Sequence, residues 1–526
     1  MTNSIAELSG PDVILIAGSN TTEQHPIISG RIIDAVRKGA SLIIFDPRLI
    51  QLTPYAEMHL RQRPGTDVAY INAMMKVIVD EDLYDREFVE QRTEGFEELK
   101  KSLEGSTPEW AEEITGIPAE DIVKAAKEFA AADRASIVYC MGITQHVSGT
   151  DNVKALADLA MLTGNIGRLS TGVNPLRGQN NVQGACDMGG LPNVFTGYQP
   201  VTDEAARKKF EKAWGASLPE SAGLTLMEMM EGAIEGSVEF MMVLGENPVI
   251  SDPNSAHVRK ALEKVPFLVV EDIMDTDTTA LADVVLPGAC WAEKDGTFTN
   301  TERRVQRVRK AVEPPGEAHA DWQVICDIAK AAGGKGFDFD DVSQVFDEMR
   351  ALTPQYAGMS YARLEDAGIQ WPCPDEESLG KKFLHEGHFT RGKGKFEPVS
   401  YRPPAEPCDE EFPLALMTGR LAFQYHTGTM TRQSPTLDRE VNSAFVEVNP
   451  EDADAMGLKS GEPAKVASRR GELVVETKVT DRVKPGQVFM PFHFAEASAN
   501  VLTSDALDPV CRIPELKVCA VKLSKP

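Results

Sequence analysis

The sequence predicts an α/β fold with two parallel-sheet domains, followed by a C-terminal β-barrel. Three observations support this prediction. Short apolar runs alternate with helical patterns from residue 1 to about residue 150. The same alternation restarts after a stretch rich in Gly, Asn and Gln at 172–190. From about residue 406, short strands alternate with turns, a pattern typical of a barrel.

A strand–helix–strand unit opens the chain. Residues 12–17 form an apolar run of strand length, residues 28–38 are periodic like a helix, and residues 41–45 form a second strand. The helical crossover between the two strands is long enough for them to pair in parallel. We also expect helices at 67–80 and 118–132, and a strand at 135–140. We assign these elements to one α/β domain, residues 1–175.

The later elements divide into three regions. Strands at 240–244, 267–270 and 283–286 predict a second α/β domain over 176–320. Residues 321–405 are rich in Gly, Pro and charge, so we expect helices and a long connection there. Strands at 445–448, 463–467, 473–479 and 488–494 are separated by turns such as Arg470-Gly471, and they place the barrel at 406–526.

Composition excludes several classes of function. Lys and Arg number 54 against 80 Asp and Glu, a net charge of −26. This balance argues against a general nucleic-acid binder and against docking on an anionic membrane. No apolar run approaches the roughly 20 residues that span a bilayer, and no signal peptide is visible at the N-terminus. The eight cysteines are scattered with no Cys-x-x-Cys pair, which predicts a reduced, cytoplasmic protein.

Polar loops follow several predicted strands. They are Gly18-Ser19-Asn20, Asp46-Pro47-Arg48, and residues 142–145, 245–247 and 271–272. Each loop alone fits ordinary turn chemistry. Ligands of open α/β sheets bind beyond the carboxyl ends of strands, so five such loops over two domains predict binding edges. No G-x-G-x-x-G follows the first strand, so a standard nicotinamide site is not supported.

The most unusual segment spans residues 174–189. It places three glycines, two glutamines and three asparagines around a single arginine, Arg177. An arginine among neutral amides suits bidentate capture of a small carboxylate. The alternative is a polar surface loop with a solvated Arg177.

This segment closely resembles the corresponding loop of molybdenum- or tungsten-containing formate dehydrogenases, and the resemblance covers essentially the whole chain. It implies Mo or W held between two molybdopterin guanine dinucleotides, two Rossmann-like domains and a six-stranded barrel of the double-psi type. Further matching motifs lie at Ser19-Asn20 with His25-Pro26, and at 45–48, 141–145, 164–168, 244–248, 283–287, 294–300, 418–420, 425–426, 470–471 and 485–493.

The resemblance also implies roles for individual residues. Arg177 would hold the formate carboxylate. The residues that would bind the first nucleotide are Asn20, Glu23, Asp46 and Arg48. Those that would approach a pterin are Met141, Gly142 and Gln145. The second nucleotide would be bound by Gly245, Glu246, Asn247 and Asp272. The barrel would contribute Thr418, Arg420, His426, His493 and Asn500, and further cofactor contacts are implied at Gln24, Gly65, Asp67, Gln179, Thr427 and Lys517.

One departure concerns the start of the chain. Catalytic chains of the resembled family begin with a 4Fe-4S segment, followed by a Cys or selenocysteine metal ligand and a His; these do not precede Met1 here. The expectation is a reading frame cut at a selenocysteine codon, and the rival explanation is a naturally split subunit. The chain alone would then be inactive and would need an iron–sulfur or flavin subunit to accept electrons. We expect no metal ligand in this chain and no membrane insertion.

Two alternative functions remain open. One is another molybdopterin oxidoreductase with a different substrate. The other is a metal-free scaffold or electron-transfer subunit, as in the large subunit of respiratory NADH dehydrogenases.

Two smaller features of the sequence also need an interpretation. The basic cluster at 303–310 either neutralises cofactor phosphates or forms a solvated face. The run His385-Glu386-Gly387-His388 lacks the His-Glu-x-x-His zinc spacing, which favours a surface loop.

Overall fold

The computed structural model describes residues 1–526 and divides into two compact units. Unit 1 comprises Met1–Gly178, Ile250–Ser255 and Phe383–Pro526. Unit 2 comprises Gln179–Val249 and Ala256–Lys382. The division into four domains proposed from the sequence stays a prediction.

Unit 1 contains a five-stranded parallel sheet. Its strands are β1 (Val13–Ala17), β2 (Ser41–Phe45), β3 (Met58–Leu60), β4 (Ala135–Tyr139) and β5 (Gly172–Pro175), in the order β3-β2-β1-β4-β5. Every residue of β1 and β4 is buried. Both faces of the sheet are therefore covered, which explains why these strands read as continuous apolar runs in the sequence.

Helices cover this sheet. The helix Asp67–Asp80 is buried along nearly its whole length, and its Tyr70 ring stacks on Phe45 of β2 at 4.1 Å. The other helices of unit 1 are Thr21–Gln24, Pro26–Arg37, Arg86–Arg92, Phe96–Ser102, Pro108–Thr115, Ala119–Ala131, Met141–Thr144, Gly149–Leu162, Pro435–Glu440 and Pro450–Met456.

Unit 2 contains a smaller parallel sheet of three strands. They are β6 (Phe240–Leu244), β7 (Phe267–Asp272) and β8 (Val284–Pro287), with β7 in the centre. An antiparallel sheet follows, made of β9 (Gly296–Thr299), β10 (Arg304–Val308) and β11 (Ile369–Gln370). The helices of unit 2 are Val182–Asp187, Glu204–Trp214, Leu226–Glu235, Asp321–Ala331 and Val342–Leu352, while Pro248–Ser251 and Ser255–Leu262 include residues of both units.

A closed six-stranded barrel forms the C-terminal part of unit 1. Its strands are β12 (Leu414–Gly419), β13 (Phe445–Val448), β14 (Pro463–Ala467), β15 (Glu472–Val479), β16 (Gln487–Pro491) and β17 (Cys519–Ser524). The order around the barrel is β12-β16-β13-β15-β14-β17, with parallel pairs β12–β16 and β13–β15. Closure leaves no unpaired strand edge.

The fold class predicted from the sequence is confirmed, with differences at element boundaries. The strand expected at 488–494 ends at Pro491, because the chain then turns into the short helical turn Ala495–Ala497. No strand was predicted for β3, β5, β9, β10, β11, β12 or β17. No helix is both long enough and apolar enough to cross a membrane.

Candidate cofactor and substrate site

Two glycine loops cross at the carboxyl edge of the first sheet. Gly18 follows β1 and Gly142 lies three residues beyond β4, the two strands between which the strand order reverses. The Gly142 N–H donates to the Gly18 carbonyl at 3.1 Å. A Cβ on Gly142 would lie 2.6 Å from the Gly18 Cα, so only glycine allows this approach. The crossing is a topological switch point, where ligands of such sheets bind.

Buried polar groups at this edge lack hydrogen-bond partners. Asn20 is 8% exposed and its Nδ2 atom is buried without an acceptor. The hydroxyls of Ser19 and Thr21 are also buried and unpaired. An unsatisfied buried donor costs about 1–3 kcal/mol. These groups therefore fit a ligand that supplies hydrogen-bonding atoms to this edge.

Two cations at the rim of the barrel lack an acidic partner. Arg420 donates through Nη1 to the carbonyl of Gly178, and Lys517 donates through Nζ to the carbonyl of Thr418 at 3.0 Å. Burial lowers the pKa of both side chains, and with the nearby Arg420 charge it lowers the pKa of Lys517 to about 8. In a chain of net charge −26, two half-buried cations without an ion-paired carboxylate favour an anionic ligand.

Three histidines near these cations are neutral at pH 7. Burial, reinforced by the Arg420 charge, lowers the pKa of His25, His426 and His493 to about 4 in each case. His493 is fully buried, and its Nε2 accepts from the backbone N–H of Leu421 at 2.9 Å. Its Nδ1 must then carry the hydrogen and donate to the His426 carbonyl. Because both ring nitrogens hold the 420–428 loop, His493 orients that loop rather than offering a free group to a cofactor.

Arg177 follows the end of β5 and is half-buried. Its backbone is anchored to β4, because the Leu176 N–H donates to the Tyr139 carbonyl at 2.8 Å. Burial raises the pKa of Tyr139 to about 12, although the positive charge of Arg177 opposes this shift. The Arg177 guanidinium therefore lies close enough to the buried Tyr139 phenol, at the carboxyl edge of the sheet, to influence its pKa.

Two carboxyl groups among the predicted cofactor residues lie at the end of β2 and at the start of the helix Asp67–Asp80. Burial raises the pKa of Asp46 to about 6, against the hydrogen bond that its carboxylate accepts from the Arg48 N–H at 3.0 Å. Burial also raises the pKa of Asp67, which accepts from Gln62 at 3.1 Å. Nearby, Gly65 has a φ of +77°, and a Cβ there would lie 2.6 Å from Pro404.

The Arg48 guanidinium is engaged by the barrel, which sequence reasoning did not predict. It forms two hydrogen bonds with Glu447 at 2.6 and 2.7 Å, and both residues are buried. It also lies over the Phe489 ring at 3.8 Å. Arg482 contacts the same carboxylate at 3.2 Å and lies 3.6 Å from Glu23. The guanidinium of Arg48 is thus bound to Glu447, and only its backbone N–H contacts Asp46, the other predicted nucleotide-binding residue.

In unit 2, the predicted residues gather at the carboxyl edge of β6 and β7. The Gly245 N–H donates to the Glu271 carbonyl at 2.8 Å, and buried Asn247 accepts from Thr278 at 2.7 Å. Asp272 caps the next turn by accepting from the Ile273 N–H at 2.7 Å, and burial raises its pKa. Glu246 is exposed beside them, and Gln179 of the same unit is half-buried.

The remaining predicted barrel residues have assigned partners. The side-chain amide of Asn500 donates to the carbonyls of Ile250 and Ser251, both at 2.9 Å. Thr418 donates to the Leu516 carbonyl at 2.6 Å, and Thr427 bonds with Thr429 at 2.9 Å. Of the predicted pterin residues, Gln145 accepts from the backbone of Lys517 at 3.3 Å, and Met141, like Gln24, is half-buried.

The arginines of the basic cluster at 303–310 bind carbonyl and carboxylate groups within unit 2. Arg303 is buried and donates to the carbonyls of Lys381 and Lys382, each at 3.2 Å. Arg307 and Arg309 both pair with Glu365, at 3.5 and 2.8 Å. These side chains bind other segments of unit 2. Arg303 therefore forms neither a solvated face nor a free charge for cofactor phosphates, the two roles considered from the sequence.

A carboxylate that sequence reasoning left without a role anchors the helix after Arg177. Asp187 is 1% exposed and accepts hydrogen bonds from Gln183, Tyr198, Tyr356 and Trp371 at 2.5–2.9 Å. Two of these donors lie more than 160 residues away in the chain. The only sequence signal for Asp187 was that it lies within the unusual segment 174–189.

Comparison with known proteins agrees with this geometry. Residues 1–331 match the family model for molybdopterin oxidoreductases, and residues 414–520 match the model for the molybdopterin dinucleotide binding domain. The chain belongs to the molybdopterin oxidoreductase family. Two similar relatives are the F420-dependent formate dehydrogenase subunit alpha of Methanocaldococcus jannaschii and formate dehydrogenase H of Escherichia coli.

The relatives cover almost the whole chain. The M. jannaschii subunit is 54% identical over 528 residues, which span 100% of this chain and 78% of that protein. The E. coli protein is 39% identical, over 99% of this chain and 74% of its own length. Acetylene hydratase from Pelobacter acetylenicus superposes with a TM-score of 0.78 at 22% identity, covering 100% of this chain and 81% of that protein, and supports the fold alone.

The residues of unit 1 fit the cofactor of the molybdopterin oxidoreductase family. The unpaired Asn20 amide, the half-buried cations Arg420 and Lys517, and the glycine crossing all suit a polyanionic dinucleotide lying along the edge of the sheet. The neutral side chains of His25 and His426 add polar surface without further charge.

Proposed function

We propose that this chain is the catalytic alpha subunit of a formate dehydrogenase. The reaction converts formate into CO2, one proton and two electrons. The observation that carries the proposal is Arg177, held on the carboxyl edge of the sheet next to the end of β4, in a chain 54% identical to a formate dehydrogenase alpha subunit. A guanidinium presents two parallel N–H donors that match the two oxygens of a carboxylate.

Each unit would bind one dinucleotide with its own residues. In unit 1, Asn20, Arg420 and Lys517 would bind one dinucleotide, with Gly18 and Gly142 allowing close approach. In unit 2, Gly245, Asn247 and Asp272 would bind the second. When bound, a Mo or W bis-molybdopterin guanine dinucleotide supplies the two-electron chemistry.

The protein's own contribution is placement and electrostatics. Arg177 would bind the formate carboxylate and fix the direction of its C–H bond. The positive charges of Arg420 and Lys517 favour the negatively charged substrate as well as the cofactor. We also propose a cytoplasmic location, and transfer of the electrons to an iron–sulfur or flavin subunit.

Substitution of Arg177 tests the assignment. In the holoenzyme, Arg177→Lys should lower kcat/KM for formate by about 100-fold or more, because an ammonium cannot reproduce the planar fork. Metal and pterin content should stay at the wild-type level. The matched control is Arg86→Lys, at an exposed arginine. Unchanged kcat/KM in the Arg177 variant would remove this residue from the mechanism.

A metal-free scaffold is the competing function, and elemental analysis separates the two. The half-buried cations Arg420 and Lys517 have no ion-paired carboxylate, which speaks against a scaffold, since such charges destabilise a protein that binds no anion. We expect Mo or W together with pterin in the natively expressed complex. Their absence would favour the scaffold.

A further inference from the structure

The backbone around Arg177 is held on both sides. On the N-terminal side, the carbonyl of Leu176 accepts from the Cys140 thiol at 3.2 Å, while the Leu176 N–H donates to Tyr139 at 2.8 Å. On the C-terminal side, the carbonyl of Gly178 accepts from the Arg420 guanidinium. Both residues that flank Arg177 therefore have their carbonyl groups occupied.

The Cys140 thiol is a hydrogen donor at this position. Cys140 is 4% exposed, and burial raises its pKa, so the sulfur keeps its proton at pH 7. Two other polar groups lie near the sulfur: the Met141 N–H, which is itself a donor, and the His25 Nε2, at a longer distance of 3.8 Å. The nearer acceptor, the Leu176 carbonyl, therefore takes the S–H hydrogen bond.

Arg420 likewise binds this backbone segment, through the carbonyl of Gly178. A Cβ on Gly178 would lie 3.2 Å from the Arg420 Nη2 atom, so the absence of a side chain at 178 allows the guanidinium to approach. Arg420 has no ion-pair partner that could draw it away. The Tyr425 ring, 5.8 Å from the guanidinium carbon, limits it on another side.

We propose that Cys140 and Arg420 are positioning residues for the substrate arginine, which act by fixing the carbonyls of Leu176 and Gly178. We call this arrangement the Arg177 brace. It rests on the proposed function, because its purpose is to direct the Arg177 fork at formate. A small displacement of such a group lowers the rate strongly, since reacting groups must meet in a narrow range of geometry. The brace gives Cys140 a role beyond packing.

The brace can be measured without turnover. Hydrogen–deuterium exchange of the segment 174–180, followed by mass spectrometry, reports its local opening. We expect Cys140→Ala and Arg420→Lys to speed exchange in this segment at least about threefold, and Cys140→Ser, which keeps a donor, to stay near the wild type. Cys326→Ala is the matched control, because Cys326 is a buried cysteine on a helix of unit 2. Equal exchange in the wild type and Cys140→Ala would overturn the brace.

Kinetics of the holoenzyme give the second measurement. Cys140→Ala should lower kcat/KM for formate by about tenfold, and Cys140→Ser should restore it to within about twofold. Equal losses in the Ala and Ser variants would also overturn the brace, because packing alone would then explain them. A wild-type holoenzyme that does not oxidise formate would refute the proposed function, while the exchange experiment would still decide whether the brace exists.

Discussion

Lys517 shows at the scale of a residue how a binding site costs stability. Its ammonium is held near Arg420 and beside the Thr418 carbonyl, and it forms no ion pair with a carboxylate, although the charge of Asp46 opposes part of the fall in its pKa. Burial and the Arg420 charge lower its pKa to about 8, far below the ordinary value of a lysine. The ligand-free protein therefore carries an unfavourable charge that an anionic ligand would stabilise.

Lys517→Met should stabilise the ligand-free protein at pH 7 by on the order of 2 kcal/mol, because it removes this charge. In the wild type, the folded pKa of about 8 lies below the unfolded value, so the unfolded state binds more protons between these two pH values. Lys517 therefore lowers the free energy of unfolding by a constant amount below about pH 8. This destabilisation shrinks as the pH rises above about 8, so the wild type becomes more stable there.

Urea denaturation at pH 7 and pH 9.5 measures this difference. The advantage of Lys517→Met over the wild type should shrink at the higher pH, whereas Lys38→Met, at an exposed lysine, should show no such trend. A Lys517→Met protein that is less stable than the wild type at pH 7 would show that the lysine is structurally paired.

At the scale of elements, the site depends on two loops that touch without side chains between them. The β1 and β4 loops meet at Gly18 and Gly142, where a Cβ on either glycine would lie under 3 Å from the other loop's backbone. This contact joins the two central strands at their carboxyl ends and leaves the backbone accessible.

Gly142→Ala should force the loops apart. We expect a loss of at least about 2 kcal/mol in the free energy of unfolding, together with reduced cofactor content. The matched control is Gly30→Ala within the helix Pro26–Arg37, where an added Cβ meets nothing within 4 Å. That change should be neutral or stabilising by about 0.5–1 kcal/mol. Thermal denaturation and pterin content measure both variants, and wild-type values for Gly142→Ala would contradict the steric argument.

At the scale of the whole molecule, unit 1 is assembled from distant segments of the chain. The Arg48–Glu447 pair joins the first α/β sheet to the barrel across 399 residues of sequence. Both side chains are buried, so each charge depends on the other to offset its desolvation.

Glu447→Gln should lower the free energy of unfolding by about 3–5 kcal/mol, because it leaves the buried Arg48 without its carboxylate partner. The double variant Arg48→Met with Glu447→Met should recover much of this loss, since no unpaired charge remains at Arg48. As a control, Asp82→Asn breaks the exposed pair with Arg86 and should cost under about 1 kcal/mol. Chemical denaturation measures all three, and equal costs at the buried and exposed pairs would contradict this account.

Much of the fold could be predicted because its strands and helices carry strong local patterns. Ser41–Phe45, Asp67–Asp80 and Phe240–Leu244 have the bounds expected from the sequence. The strand β5 was missed because its four residues include Gly172 and Pro175, which are disfavoured in strands. At the site, the strand-end loops and the unusual Arg177 segment were visible, but their partners were not.

The sequence by itself determined the order of the elements, the loops at strand ends and the single arginine among amides, because these depend on neighbours in the chain. Only the tertiary structure decided what these side chains contact. Arg48 pairs with Glu447, His493 holds the 420–428 loop, and Arg420 fixes the carbonyl beside Arg177. Each of these contacts joins residues that are 67 to 399 positions apart, and no local pattern records which distant groups folding brings together.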